Sequence, residues 1–209
     1  MNKKNYHLEL ERIIEGIDLD NPPSLLLHSC CGPCSTSVLE YLTSYFKVTI
    51  LYYNPNIFPK EEYFKRLEEQ KKVIEKVEGR FEIDLIEGRY VPEEYFDAVK
   101  EVKDLPEGSK RCFNCYELRL REAAKFAVEN KMDYFATTLS VSPYKNARII
   151  NELGERIGEE YKVMHLPNDF KKKDGYKKSI ELSKKWNIYR QDYCGCVFSK
   201  REAAERGNR

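Results

Sequence analysis

Apolar and polar positions along the chain alternate between short apolar runs and longer amphipathic stretches. Ser24 to His28, Val48 to Tyr53, Phe81 to Ile86, Asp133 to Thr138 and Tyr161 to Leu166 have the length and β-branched or aromatic content of strands. Between them, helical spacing runs over Ser35 to Tyr45, where Val38, Leu39, Leu42 and Tyr45 share one face, and over Pro59 to Val77, Pro92 to Val102, Cys112 to Asn130 and Lys145 to Ile157. An amphipathic piece, Leu8 to Ile17, precedes the first strand and is closed by Asn21-Pro22-Pro23. A helix around Lys177 to Trp186 and a charged one from Lys200 follow the last strand.

This alternation predicts an α/β fold: a parallel sheet of about five strands, helices on both faces, and right-handed crossovers. With strand order 3-2-1-4-5, strands one and four flank the crevice beyond the strands' carboxyl ends, where such sheets bind ligands. A chain of 209 residues suits one main core. The expected division is a lead-in helix over 1–23, the α/β domain over 24–168, and a cysteine-containing helical extension over 169–209 packed on it.

The chemistry concentrates in His28-Ser29-Cys30-Cys31-Gly32-Pro33-Cys34, between the first strand and its helix. First-turn amides and the helix dipole favour anions at such a place, and thiolates there are activated for metal binding. Neither GxGxxG nor GxxxxGK[ST] follows this strand, so the loop has the position of a phosphate loop and the ligands of a metal site. Adjacent Cys30 and Cys31 would form a strained ring as a disulfide, whereas two metal bonds suit their divergent side chains. His28 falls on the strand and reads as a hydrogen-bonded core histidine.

A second group, Cys112 and Cys115, opens a helix with both sulfurs on one side of the first turn, a spacing used by zinc and by iron–sulfur clusters, and also by redox dithiols. Cys30, Cys31, Cys112 and Cys115 together supply four thiolates, the number that a cubane cluster or a structural zinc requires. Cys34 is then a candidate ligand for a second metal or a plain helix-turn thiol. In the third group, Cys194-Gly195-Cys196, a disulfide closed across one glycine is strained and easily reduced, which suggests a labile dithiol. The alternative is two further metal ligands.

Lys and Arg number 36 against 35 for Asp and Glu, so no global charge draws the chain to nucleic acid or membrane, and any polyanion must meet a local patch. The one basic concentration is Lys171 to Lys173, Lys177, Lys178, Lys184 and Lys185, interleaved with Tyr176, Trp186 and Tyr189. It reads as a solvated face or as a support for a phosphate backbone and stacked bases. Met1 to Asp20 is charged throughout, and no run approaches the roughly 20 apolar residues of a membrane span. A cytoplasmic protein without a membrane partner is expected, and seven cysteines there read as metal or redox ligands.

Five motifs, Leu27 to Cys34, Tyr53-Asn54-Pro55-Asn56-Ile57, Arg111 to Tyr116, Thr137 to Lys145 and Tyr189 to Cys196, resemble those of the cobalamin-independent epoxyqueuosine reductases of the QueH family. The resemblance runs from about Ser24 to Cys196. It implies an oxidoreductase that completes queuosine synthesis by reducing the epoxide of epoxyqueuosine in the tRNA wobble position. It implies a HUP-type, Rossmann-like α/β domain, a [4Fe–4S] cluster and a further iron. Carried over by motif, Cys30, Cys31, Cys112 and Cys115 match the cluster ligands and Cys194 with Cys196 a redox-active pair. The motifs assign no ligand to the further iron, for which Cys34 is a candidate, and Asn54, Tyr144, Lys145 and Arg190 are candidates for substrate binding. Asp192 and Tyr193 are candidate proton donors. The partners implied are tRNA and an electron donor that the sequence does not specify. Two other classes fit the residues: a zinc-stabilised nucleic-acid-binding module, and a HUP-type tRNA-modifying adenylating enzyme, against which the missing glycine-rich loop counts.

Overall fold

The structure is a computed structural model that describes residues 4–207. The outer ends of the expected 1–23 and 169–209 segments, residues 1–3 and 208–209, lie outside the described residues. Five parallel strands form one sheet: β1 (Ser24–His28), β2 (Lys47–Tyr52), β3 (Asp84–Glu87), β4 (Tyr134–Thr137) and β5 (Met164–His165), in the order β3-β2-β1-β4-β5. The parallel sense is that expected from the alternation of elements, and the order is the 3-2-1-4-5 arrangement that places strands one and four at the crevice. Strand β1 lies at the centre, with His28 level with Leu51 of β2 and Thr137 of β4.

Period-two alternation along β1 divides the core. Leu25 and Leu27 face one layer with Val38, Leu39 and Leu42 of α2 (Gly32–Leu42), Val73 of α3 (Lys60–Lys76) and Leu10 of α1 (Tyr6–Glu15). Leu26 faces the other, with Leu120, Ala123, Ala124 and Ala127 of α5 (Lys110–Glu129) and Ile157 of α6 (Ala147–Tyr161). All three β1 leucines are fully buried, each contributing about 2 kcal/mol of apolar transfer. The remaining helices are α4 (Pro92–Val99), α7 (Gly175–Lys185), which lies along α2, and α8 (Val197–Gly207). Among the described residues, no helix is long and apolar enough to cross a membrane.

Among the boundaries that differ from the sequence reading are those at the cysteine loop, the last strand and the closing helix. Helix α2 starts at Gly32 rather than Ser35, because Cys31 is extended and Pro33, whose fixed φ suits a first turn, follows at once. The last strand keeps only Met164 and His165. Tyr161 belongs to the final turn of α6, and Lys162 reverses the chain in the left-handed region (φ 61°) before pairing begins. The closing helix begins at Val197, directly after the third cysteine group, rather than at Lys200.

Two histidines, the fully buried His28 and the half-buried His165 with its ring nitrogens out of solvent, make the fold acid-sensitive. His28 accepts at Nδ1 from the Thr137 hydroxyl (2.9 Å) and donates from Nε2 to the Tyr53 carbonyl (3.0 Å), tying the ends of three strands together as a neutral ring. Burial, and then Arg119, lower its pKa to about 4. Burial lowers His165, both of whose ring nitrogens lack partners, to about 3. Folding therefore depresses both values from 6.5, so the unfolded chain binds protons first as the pH falls. This stability is complete above about pH 6.5 and is lost toward pH 4, at about 1.4 kcal/mol per pH unit for each ring. Urea unfolding at pH 5 should give a free energy on the order of 2–4 kcal/mol below that at pH 7. His165→Phe should remove roughly half of the difference. A pH-independent unfolding free energy would show that these rings are already solvated in the folded chain.

Candidate metal centre

The crevice between β1 and β4 receives the loop that follows each strand. After His28 the chain runs through Ser29 and Cys30 to an extended Cys31 (φ −174°, ψ 154°), and α2 begins. Ser29 holds this loop from below, its hydroxyl on Gln70 (2.6 Å) and its carbonyl accepting from the Asn54 amide (2.8 Å). Gly32 is required by close approach: a Cβ there would lie 2.8 Å from the Glu69 carbonyl oxygen on α3. From β4, the Thr138 hydroxyl comes within 3.8 Å of the Cys30 sulfur, so the cysteine and Thr/Ser loops face each other as the strand order predicts.

Cys30, Cys31 and Cys34 place their sulfurs within 4.8 Å of one another, with Cys30 and Cys31 3.8 Å apart. A tetrahedral ion with metal–sulfur bonds of about 2.3 Å has ligand edges of about 3.8 Å, so the trio fits one metal. Hydrogen bonds from Cys31 and then Cys34 push the Cys30 thiol well below its usual range. The same bonds raise the donors: Cys31 to about 12, through Cys30 and burial, and Cys34 well above its ordinary value. A metal ion bound by the trio would displace the thiol protons. The Gln191 side-chain amide donates to the Cys31 sulfur (3.0 Å).

Cys112 and Cys115 do not join this trio. At the start of α5 they line a narrow cavity with Cys194, Cys196, Tyr95 and Arg119. The Gly108 amide donates to the Cys112 sulfur (3.2 Å) and the Ser199 amide to that of Cys196 (3.3 Å). Burial raises the Cys112 thiol and pushes Cys115 up to about 12. Between the last two cysteines, Gly195 takes φ 127°, a conformation that side chains rarely adopt, and its carbonyl accepts from Phe58 N–H (2.9 Å). A Cβ at Gly195 would also press to 3.0 Å on the Arg66 guanidinium, which donates to the Cys194 carbonyl (3.1 Å).

Cys194 borders a second, open cavity of about 360 Å³, shared with Cys30, Cys34, Lys145, Tyr176 and Arg190. It is the one cysteine that lines both cavities. The Lys145 ammonium lies 3.3 Å from its sulfur. Burial pulls that ammonium's pKa down, but Cys194, Tyr116 and Cys30 outweigh it and hold the group well above its usual value. Tyr144, 77% exposed, stands at the rim, as do Asp192 and Tyr193. Arg190 is anchored to α7 through the Ser179 carbonyl (3.2 Å) and the Ser183 hydroxyl (3.1 Å). Asn54 is fully buried beneath the loop and does not border this cavity.

The motif reading had not singled out three side chains of this region: Arg66, Gln191 and Arg119. Arg119 follows Cys115 by four residues, which places it on the same face of α5, and its Nε donates to the Cys115 carbonyl (3.0 Å). That spacing was visible in the sequence. The contacts of Arg66 and Gln191 depend on how residues 186–196 cross the open end of the crevice.

Comparison with known proteins adds relatives that cover the whole site. Residues 25–202 match the family model described as epoxyqueuosine reductase QueH. An epoxyqueuosine reductase QueH of Staphylococcus epidermidis is 44% identical over 202 residues, 94% of this chain and 85% of the relative. That of Staphylococcus aureus is also 44% identical over 202 residues, 94% of this chain and 84% of its own length. The Thermotoga maritima protein of the same name is 40% identical over 189 residues, 88% of this chain and 93% of its own. The match spans every cysteine of the two cavities and both loops of the crevice, and the chain belongs to the epoxyqueuosine reductase QueH family of oxidoreductases.

Proposed function

We propose that this chain reduces the epoxide of epoxyqueuosine in the tRNA wobble position to the cyclopentene of queuosine. Both bonds from carbon to the epoxide oxygen break, the oxygen leaves as water, and two electrons and two protons are consumed. The observation that carries the reading is the family match over residues 25–202, which encloses all seven cysteines.

Cys30, Cys31, Cys112 and Cys115 are the proposed ligands of a [4Fe–4S] cluster, and Cys34 the candidate ligand of a further iron. A cubane spreads its thiolates over separate corners, which suits two pairs from separate helix starts, and the closeness of Cys34 to Cys30 and Cys31 supports a further iron beside the cluster. Such a centre supplies electrons one at a time and, at an open iron, Lewis acidity. The remaining roles fall to the chain. Oxidation of the Cys194 and Cys196 thiols to a disulfide releases two electrons and two protons, the amounts that the reduction consumes. Lys145 stabilises negative charge on Cys194, and Asp192 or Tyr193 at the cavity rim donates a proton. Tyr144, Lys145 and Arg190 hold the nucleoside. The cavity shared by Cys112, Cys115, Cys194 and Cys196 favours a second reading, in which these four thiols are themselves a ligand set.

The test incubates the anaerobically purified chain with epoxyqueuosine-containing tRNA and a low-potential reductant, then digests the tRNA and weighs its nucleosides. Loss of one oxygen atom from the modified nucleoside is expected. An unchanged nucleoside with zinc in place of iron and sulfide would instead support the non-catalytic module.

The basic stretch has a narrower role than its composition suggests, since Lys171 pairs with Asp169, Lys173 with Glu11 and Lys178 with Glu40. Lys177, Lys184 and Lys185 are exposed and have no ion-pair partner among the described residues. If these hold the anticodon arm, replacing all three by alanine should reduce the slope of log affinity against log salt by about 0.7–0.9 per lost contact. Unchanged slope and affinity would move the RNA surface elsewhere.

A further inference from the structure

Five cations surround the cysteines: two are answered by carboxylates, and a third, Arg190, is held by the Ser179 carbonyl and the Ser183 hydroxyl. Arg66 pairs with Glu62 (2.7 Å) and Arg111 with Glu202 (2.7 Å). Arg119 is 1% exposed, spends Nε on the Cys115 carbonyl, and leaves a terminal nitrogen buried without a partner. It lines both cavities, between the trio side and the Cys112 side. Lys145, half-buried, makes its contact with the Cys194 sulfur. Among the described residues neither Arg119 nor Lys145 has a carboxylate within ion-pair distance.

A buried guanidinium without a counter-ion is far costlier than one that is paired, and a site that keeps two unanswered positive charges is built around negative charge. Four thiolates on a cubane core of charge 2+ sum to −2. We infer that Arg119 and Lys145 are the resident counter-charges of a dianionic thiolate centre, with Arg119 placed between the two cysteine groups so that one charge serves both. Arg119 is a positioning residue, and Lys145 acts on the centre in addition to its contact with the Cys194 sulfur. Their field favours the more negative, reduced state of the centre and so raises its reduction potential.

This inference rests on the metal-centre reading above, and the experiment separates the two. The full chain, wild type and with Arg119→Gln, Arg119→Lys or Lys145→Gln, is reconstituted anaerobically with ferrous iron and sulfide. Iron and sulfide per chain are measured, together with the midpoint potential by mediated titration. Arg119→Gln and Lys145→Gln should each shift the potential to more negative values and release iron faster to a chelator, while Arg119→Lys, which keeps the charge, should stay near wild type. Iron-loaded Arg119→Gln at the wild-type potential overturns the inference alone. A wild-type chain that takes up no iron or sulfide overturns the centre, and the inference with it. Should Arg119→Gln fail to fold, Lys145→Gln decides, and an unchanged potential in it is equally fatal.

Discussion

Replacing Cys194 or Cys196 by serine is expected to lower turnover by on the order of a thousandfold or more, with the iron and sulfide content unchanged. The expectation follows from position. Cys194 alone among the cysteines opens on both the narrow cavity and the 360 Å³ one, and Cys196 is buried two residues away across a left-handed glycine. A serine pair keeps the hydrogen bonds of this turn but holds no electrons, so the chemistry stops while the fold stays. Single-turnover reduction of the tRNA nucleoside, followed beside the visible absorbance of the centre, is the measurement. Loss of iron together with activity would make Cys194 and Cys196 ligands, in line with the four-thiol cavity they share with Cys112 and Cys115. Gly195→Ala offers a check that leaves both sulfurs in place. Its Cβ would be strained at φ 127° and would crowd Arg66, so activity should fall with no thiol removed.

The second large effect is expected at Cys31. Its sulfur is fully buried, lies 3.8 Å from that of Cys30, and accepts from the Gln191 amide. Cys31→Ala should lose most of the bound metal and all tRNA-dependent reduction, because a thiolate ligand and the anchor for the 186–196 segment disappear together. Cys30→Ala, Cys112→Ala and Cys115→Ala should lose most cluster absorbance in the same way. Cys34→Ala should lower the iron count by about one atom per chain and spare the sulfide, if this thiol serves a single iron. Iron and acid-labile sulfide analysis on anaerobic samples reads all five variants. Full occupancy in any of them removes that cysteine from the ligand set.

Much of this protein is legible from local pattern. Ser24 to His28 forms the first strand with the boundaries expected, because an apolar run of that length between a proline pair and a small-residue turn has one good solution in a buried parallel sheet. The parallel sense follows from the alternation of elements, and once the order is β3-β2-β1-β4-β5 the Cys30 loop and the Thr138 loop must meet at the switch point. The partners of His28 were legible as a class, since a histidine at a buried strand end must satisfy both nitrogens. Spacing also determines which thiols share a turn: Cys30 with Cys31 and Cys34, Cys112 with Cys115, Cys194 with Cys196.

What spacing does not determine is which of these groups meet. That was decided by the path of the chain after α7. Tyr189 N–H donates to Glu69 (2.8 Å), Gln191 reaches Cys31, and Arg66 holds the Cys194 carbonyl, so residues 186–196 cross the open end of the crevice. This path brings Cys194 and Cys196 against Cys112 and Cys115, a pairing of groups some eighty residues apart to which no local period refers. That neither Arg119 nor Lys145 forms an ion pair with a carboxylate among the described residues is of the same kind. Lysine, arginine and glutamate are abundant throughout the chain, and only packing decides which cations find an acid and which are left facing sulfur.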